Sequence, residues 1–177
     1  MKTIILYLTT DGQTQKIAEQ IGQVLQGEVS LCSLRENTIT SDELASFDNI
    51  IIGASIRYGR FDSLLKKFIQ QHHLILNQKK SAFFSVNLTA RKENKNQPET
   101  NAYTRKLLES IQWKPNWVAV FAGSLLYPKY SWYDRLIIQF IMRLTGGETD
   151  TSKEVEYTDW QRVNDFAQKF NIISGKM

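Results

Sequence analysis

Five short runs rich in apolar and β-branched residues, Thr3–Leu8, Val29–Leu34, Asp48–Gly53, Ser81–Asn87 and Trp117–Ser124, alternate with stretches of helical periodicity. That alternation is the strongest constraint on the fold. Strands joined by crossover helices make a parallel sheet, and a parallel sheet must be covered on both faces. The first crossover, Thr14–Gln26, places Ile17, Ala18, Ile21, Val24 and Leu25 on one helical face, with Gly27 at the expected stop. Thr40 and Glu43 have the spacing of a capping box, and Asp62 precedes a helix carrying Leu64, Leu65, Phe68 and Ile69. A helix is expected near Thr100–Ile111. A last one, opened by a capping box of Thr158 with Gln161, buries Val163, Phe166, Ala167 and Phe170. Sheets of this class bind ligands outside the carboxyl ends of their strands. Three loops are therefore the candidate functional surface: Thr9–Thr14, Ala54–Phe61 and Leu88–Pro98.

The chain has 177 residues, the size of one ordinary domain with a core large enough to need no staple. Cys32 is the only cysteine, so no internal disulfide forms, and His72 and His73 are the only histidines. A histidine-rich metal site and a Ser-His triad are both poor starting points. His72 and His73 are expected to end a helix, where the dipole favours them, and Cys32 reads as a small core residue. The N-terminal apolar run Ile4–Leu8 is too short for a secretory signal, and no stretch is long and apolar enough to span a bilayer. The expectation is a cytoplasmic protein with the inner face of a membrane open to it.

Charge is unevenly placed. Net charge is +4, but residues 1–56 total −4, residues 57–143 total +10 and residues 144–177 total −2. A basic central block is explained by an anionic partner (nucleic acid, a lipid surface or a polycarboxylate) or by lysines such as Lys66, Lys67, Lys79 and Lys80 on solvated helix faces.

The first loop, Thr9-Thr10-Asp11-Gly12-Gln13-Thr14, joins the first strand to the first helix. Three hydroxyls, a glycine and helix N-terminal amides can hold a phosphate without metal. The loop lacks the Gly-Lys-Ser/Thr of a P-loop and the spaced glycines of a dinucleotide fingerprint. A merely capped βα turn is the plainer reading of the same residues.

With these residues in view the sequence resembles the flavodoxin-like family, and within it the menaquinone-dependent protoporphyrinogen IX dehydrogenases of bacterial haem synthesis. The matching stretches include Asp11–Thr14, Ile52–Gly59, Phe84–Leu88 with Ala90–Lys92, Tyr127-Pro128, Trp132–Arg135, Gly146–Asp150 and Tyr157–Trp160. The resemblance implies a doubly wound five-stranded parallel sheet in the order 2-1-3-4-5. It also implies one FMN, and oxidation of protoporphyrinogen IX with menaquinone or another respiratory quinone such as ubiquinone. It makes Thr9, Thr10, Asp11, Gly12, Gln13 and Thr14 the phosphate loop. Ser55, Ile56, Arg57, Tyr58 and Gly59 would line the isoalloxazine, with Tyr58 the candidate stacking residue, although a tyrosine packed over the strand ends fits too. Ser85, Val86, Asn87, Leu88, Thr89 and Ala90 would supply the remaining flavin contacts. Arg57 and Arg60, with Arg91, Lys92 and Lys95 of the third loop, would meet the two propionates of the substrate, or are ordinary solvated cations.

The residues 125–147 form the part that an electron-carrier flavodoxin does not lead one to expect, an insertion within a single domain of residues 1–177. Trp132–Leu144 reads as a helix with Arg135, Gln139 and Arg143 as one polar stripe on an otherwise apolar circumference. It is too short to cross a bilayer. It can lie at an anionic membrane surface with Trp132 at headgroup depth, turn Ile137 and Ile141 toward a porphyrin or quinone, or fill the core. The whole reading is a peripheral enzyme on the cytoplasmic side of the bacterial inner membrane, with no catalytic side chain required because the flavin carries the redox chemistry. A soluble FMN electron carrier is the alternative. Nucleic-acid binding is not expected, since no recognised motif accompanies the basic residues.

Overall fold

The computed structural model describes residues 1–175. Five parallel strands form the central sheet: β1 (Lys2–Leu8), β2 (Glu28–Ser33), β3 (Asn49–Arg57), β5 (Lys80–Asn87) and β6 (Trp117–Ala122). Their spatial order is β2-β1-β3-β5-β6, and the two-residue β4 (Arg60–Phe61) adds a sixth, antiparallel strand against the end of β3. Helices α1 (Gln13–Val24), α2 (Ser41–Ala45), α3 (Ser63–Gln78), α4 (Ala102–Ser110) and α6 (Trp160–Gly175) cover it, while α5 (Trp132–Thr145) stands apart.

The two-residue period of the strands sorts the core into two layers. Ile4, Leu6, Leu8, Ile50, Ile52 and Phe83 face α2, α3 and α4, meeting Leu44, Leu65, Phe68, Ile69, Leu76 and Leu107. Ile5, Ile51, Ala82, Phe84 and Phe121 face the opposite side, against Ile17, Ala18 and Ile21 of α1 and Val163, Phe166, Ala167 and Phe170 of α6. Each such side chain stabilises by about 1.5–3 kcal/mol when fully buried. This is why the apolar periodicity dictates the layers. Gly53 is demanded by packing rather than by backbone freedom, because a Cβ there would sit 2.0 Å from Cζ of the buried Phe84.

Several boundaries differ from the expectations. The third strand does not stop at Gly53. It runs to Arg57 and turns back through Tyr58 and Gly59 into β4, so the second loop is a β-hairpin. Both turn residues have positive φ, 50° and 73°, the requirement of a tight turn matching the twist of its strands. The fifth expected strand breaks at Gly123, and the chain continues as a ribbon of β7 (Ser124–Leu126) paired with β8 (Glu154–Glu156). The excursion therefore extends to Glu156, beyond the expected 147.

The capping boxes fare unevenly. Thr40 and Glu43 form one, and Asp62 caps α3. At α6 the cap is Asp159, whose Oδ1 accepts from the amides of Gln161 and Arg162, while Thr158 donates to the Ala122 carbonyl. His72 and His73 do not end a helix, since α3 continues to Gln78. His72 is buried, with Nδ1 3.0 Å from the Ser41 hydroxyl and its ring 4.6 Å from that of Phe68, tilted 45° to it.

Candidate functional site

The order of the parallel strands reverses direction beside β1, so the carboxyl ends of β1 and β3 open a crevice. A cavity of about 610 Å³ lies there, within the range of small-ligand pockets. Its walls come from the three expected loops and from a fourth element, α5.

The first wall is the turn into α1. Thr9, Thr10, Asp11, Gln13 and Thr14 line the cavity. Gly12 does not, but its φ of 93° makes the turn possible. The Thr9 hydroxyl accepts from the Gly12 amide at 2.9 Å, tightening the loop. No side chain caps α1 and its first turn holds no acidic residue, which removes the plain capped-turn reading. The uncapped amides present positive potential. Beside them Thr14 Oγ1 is buried and has no hydrogen-bond partner.

The second wall is the β3–β4 hairpin. Ser55, Ile56, Arg57, Tyr58 and Gly59 line it. Arg57 is fully engaged. It makes two hydrogen bonds to the Asp11 carboxylate, at 2.9 and 2.8 Å, lies 3.4 Å from Asp134 of α5, and stacks over Tyr58 and Tyr130. Burial pulls its pKa down, yet Asp11 and these hydrogen bonds outweigh that and hold it above the ordinary value. The expectation that Arg57 meets a substrate carboxylate is thereby corrected, because Asp11 and Asp134 already neutralise it. The Tyr58 hydroxyl donates to Asp134, and that bond, with another from Ser131, holds the Asp134 carboxyl below the usual range.

The third wall is the end of β5 and the turn after it. Val86, Asn87, Leu88, Thr89 and Arg91 line the cavity. Asn87 Oδ1 accepts from the Ala90 amide at 3.0 Å and from the Thr89 hydroxyl at 2.6 Å, leaving its buried Nδ2 unpaired. Two expected contacts move elsewhere. Ser85 is fully buried and bonds Thr104 at 2.7 Å, and Ala90 packs on Val120 and Ala122. Arg91 bonds the Leu88 carbonyl at 2.8 Å and the Thr145 hydroxyl at 2.9 Å.

The fourth wall is α5, which sits on its own small cluster of Leu125, Tyr127, Tyr130, Ile138 and Met142. Ile137, Ile138, Ile141, Met142 and Thr145 reach the cavity. Trp132 and Arg135 do not, and neither does Lys92. Trp132 is 75% exposed and packs edge-on to Tyr133, and Arg135 Nε is buried without a partner. The polar stripe of the helix meets the following loop, Gln139 donating to the Thr149 carbonyl at 2.9 Å.

The sequence reading missed Tyr103, Gly123, Ser124, Tyr130, Ile138, Met142 and Thr145 among the lining residues. Ser124 was legible, since it closes the fifth expected strand, at the carboxyl end where such sheets bind ligands. Its hydroxyl is buried and unpaired. Thr14 Oγ1, Asn87 Nδ2 and Ser124 Oγ thus line one cavity with hydrogen-bonding capacity unspent, and buried polar groups do not stay so without a ligand or water. Their chemistry fits FMN: an anion cradle at the turn into α1, walls made by a hairpin and a turn, and buried polar atoms with bonds still to make. Among the described residues no group of acidic, His or Cys side chains is arranged to hold a metal, and no helix is long and apolar enough to cross a membrane.

Comparison with known proteins agrees with this geometry. Over 99% of this chain and 98% of its own length, a protein of Escherichia coli K12 named protoporphyrinogen IX dehydrogenase [quinone] is 47% identical. A Leishmania major protein of the same name is 48% identical over 97% of this chain and 75% of its own length. An archaeal flavodoxin superposes with a TM-score of 0.58 at 17% identity, covering 99% of both chains. Flavodoxin 2 of Bacillus cereus gives 0.53 at 19%, covering 98% of this chain and 99% of its own. These two likenesses concern the fold. Flavodoxin domains and flavodoxin neighbours point to FMN as the cofactor. With the flavodoxin domain family matching residues 4–152, the chain belongs to that family.

Proposed function

We propose that this protein oxidises protoporphyrinogen IX to protoporphyrin IX, using FMN and a quinone acceptor, menaquinone or another respiratory quinone. The observation that carries the reading is the extent of the likeness to the dehydrogenases: near half identity over 99% of the chain, α5 included. The reaction balances when one protoporphyrinogen gives up six hydrogens and three quinones each take two electrons and two protons. Bound FMN supplies the two-electron relay between them.

The protein's own residues do the positioning. Thr9–Thr14 and the uncapped α1 amides would hold the phosphate, and Asn87 and Ser124 would offer polar atoms to the flavin. Ser55–Gly59 and Val86–Thr89, which line the cavity, would border the ring. Ile137, Ile138, Ile141 and Met142 line the open side with apolar surface that excludes water. Arg91 is the cation at the cavity whose hydrogen-bond partners are all neutral, so its charge would be the one to pair with a propionate. Since respiratory quinones dissolve in lipid, the same reading puts the protein at the cytoplasmic side of a bacterial inner membrane, bound peripherally.

The test is an anaerobic mixing experiment with the FMN-loaded protein and protoporphyrinogen IX. Bleaching of the flavin absorbance with matching growth of porphyrin fluorescence supports the reading. A flavin that dithionite bleaches and protoporphyrinogen does not would move the protein to the electron-carrier class.

A further inference from the structure

The circumference of α5 divides into sectors with different neighbours. Ile138 and Met142 are buried, and Gln139 is spent on the loop that follows. Ile137 and Ile141 line the cavity and are nevertheless 46% and 42% exposed. Beyond them lies a sector outside the core and this cavity: Trp132, Tyr133, Leu136, Phe140 and Leu144, all exposed, Phe140 at 62% and Leu144 at 70%, with Leu136 and Phe140 edging a smaller cleft of about 220 Å³ beside Gln139 and Arg143. Contiguous apolar exposure of this kind marks an interaction surface. Lys129 before the helix and Arg143 in its last turn are exposed, and neither pairs with a carboxylate among the described residues. Trp and Tyr at one end, Leu and Phe along the rest and unpaired cations at both ends are the complement of an anionic lipid surface.

We propose that this outer sector rests in the headgroup region of an anionic bilayer, and that a long-tailed quinone passes from the lipid into the cavity between Ile137, Ile141 and Tyr58. The inference rests on the quinone-linked reading above. Tyr58, Ile137 and Ile141 are the large exposed apolar or aromatic side chains that also line the cavity. They form a lip continuous with the outer sector, so the isoprenoid tail stays on apolar surface while the quinone head enters. The porphyrinogen, with its two propionates, is an amphipathic dianion and is not assigned this route. A second copy of the chain is the competing occupant, and the experiment separates the two.

The experiment uses the FMN-loaded protein, vesicles of phosphatidylcholine with phosphatidylglycerol, and the double variant Phe140→Ser/Leu144→Ser, whose positions are outside the cavity wall. Wild type co-sediments with the vesicles, and raised salt weakens the binding. The variant stays in the supernatant and loses at least about tenfold in kcat/KM with a long-tailed quinone held in the vesicles. With a short-chain, water-soluble quinone it keeps wild-type turnover, and its flavin fluorescence quenching is unchanged. Equal loss with both quinones, or loss with neither, overturns the portal. Wild type that ignores vesicles but forms dimers which the variant dissolves assigns the sector to a second copy. Absence of porphyrin with either quinone in wild type refutes the underlying reaction instead, and the portal with it.

Discussion

Replacing Thr14 by valine tests the phosphate cradle with opposite expectations for the free and loaded protein. Thr14 is 1% exposed, and Oγ1 has no partner in the fold. Valine keeps the branched shape and removes the hydroxyl. If Oγ1 bonds the FMN phosphate, the variant loses a charge-assisted hydrogen bond and leaves a phosphate oxygen short of a donor, about 1–3 kcal/mol. At a factor of ten per about 1.4 kcal/mol, that is roughly a 5- to 150-fold rise in Kd. The free protein behaves differently, because a hydroxyl without a partner contributes nothing when lost. Its melting temperature holds or rises, by about 2–4 °C for each kcal/mol of relieved desolvation in a chain of this length. Quenching of FMN fluorescence gives the Kd, and calorimetry of apo protein gives the melt. Thr14→Ser retains the hydroxyl and should restore most of the affinity. Unchanged Kd, or an apo protein that melts earlier, would refute the argument by making the hydroxyl a hydrogen-bonded part of the fold.

Arg57→Gln removes the neutralisation of Asp11 next to the phosphate cradle and should weaken FMN by about 1–3 kcal/mol, with Asp11→Asn in the same chain recovering much of it; titration of the single and double variants decides. Gly53→Ala drives a Cβ into the Phe84 ring and should destabilise by about 1–3 kcal/mol or more in urea unfolding. Burial depresses the His72 pKa below its ordinary 6.5, so the unfolded chain binds the extra proton first. Stability is therefore full above about pH 6.5, falls as pH drops below it and levels off once the folded pKa is passed; His72→Gln should flatten that slope in unfolding curves taken from pH 8 to 5. Ile137→Gln with Ile141→Gln should lower quinone-linked turnover while FMN stays bound, since both side chains are half exposed and line the cavity; loss of the flavin would make them core.

What the sequence revealed and what it withheld follow from the range of the forces involved. The layers were legible because Ile4, Leu6 and Leu8 alternate with Ile5, and Ile17, Ala18 and Ile21 repeat at helical spacing. Gly12 and the hydroxyls around it marked the cradle because the turn and the anion site are both local in sequence. The partners of Arg57 were not legible. Asp11 and Asp134 reach it from two other elements, and that neutralisation is a property of the assembled loops. Ser85 illustrates the same limit: two residues before Asn87 and on the same strand face, it is fully buried and spends its hydroxyl on Thr104 of α4, a partner far from it in sequence. The hairpin at Tyr58-Gly59 was hidden by an apolar run that ended at Gly53, although β3 continues for four residues more. The α5 helix was evident from its pattern. Its division between cavity lip and free face depends on where the β7–β8 ribbon holds it, which no local pattern encodes.

The most direct test of the account is anaerobic steady-state turnover of the FMN-loaded protein with protoporphyrinogen IX and a menaquinone analogue, read as porphyrin fluorescence. The account predicts porphyrin formation that depends on both FMN and quinone, consumes three quinones per porphyrin and exceeds the rate without protein. Porphyrin formation no faster than that control, with the flavin bound and chemically reducible, would contradict it.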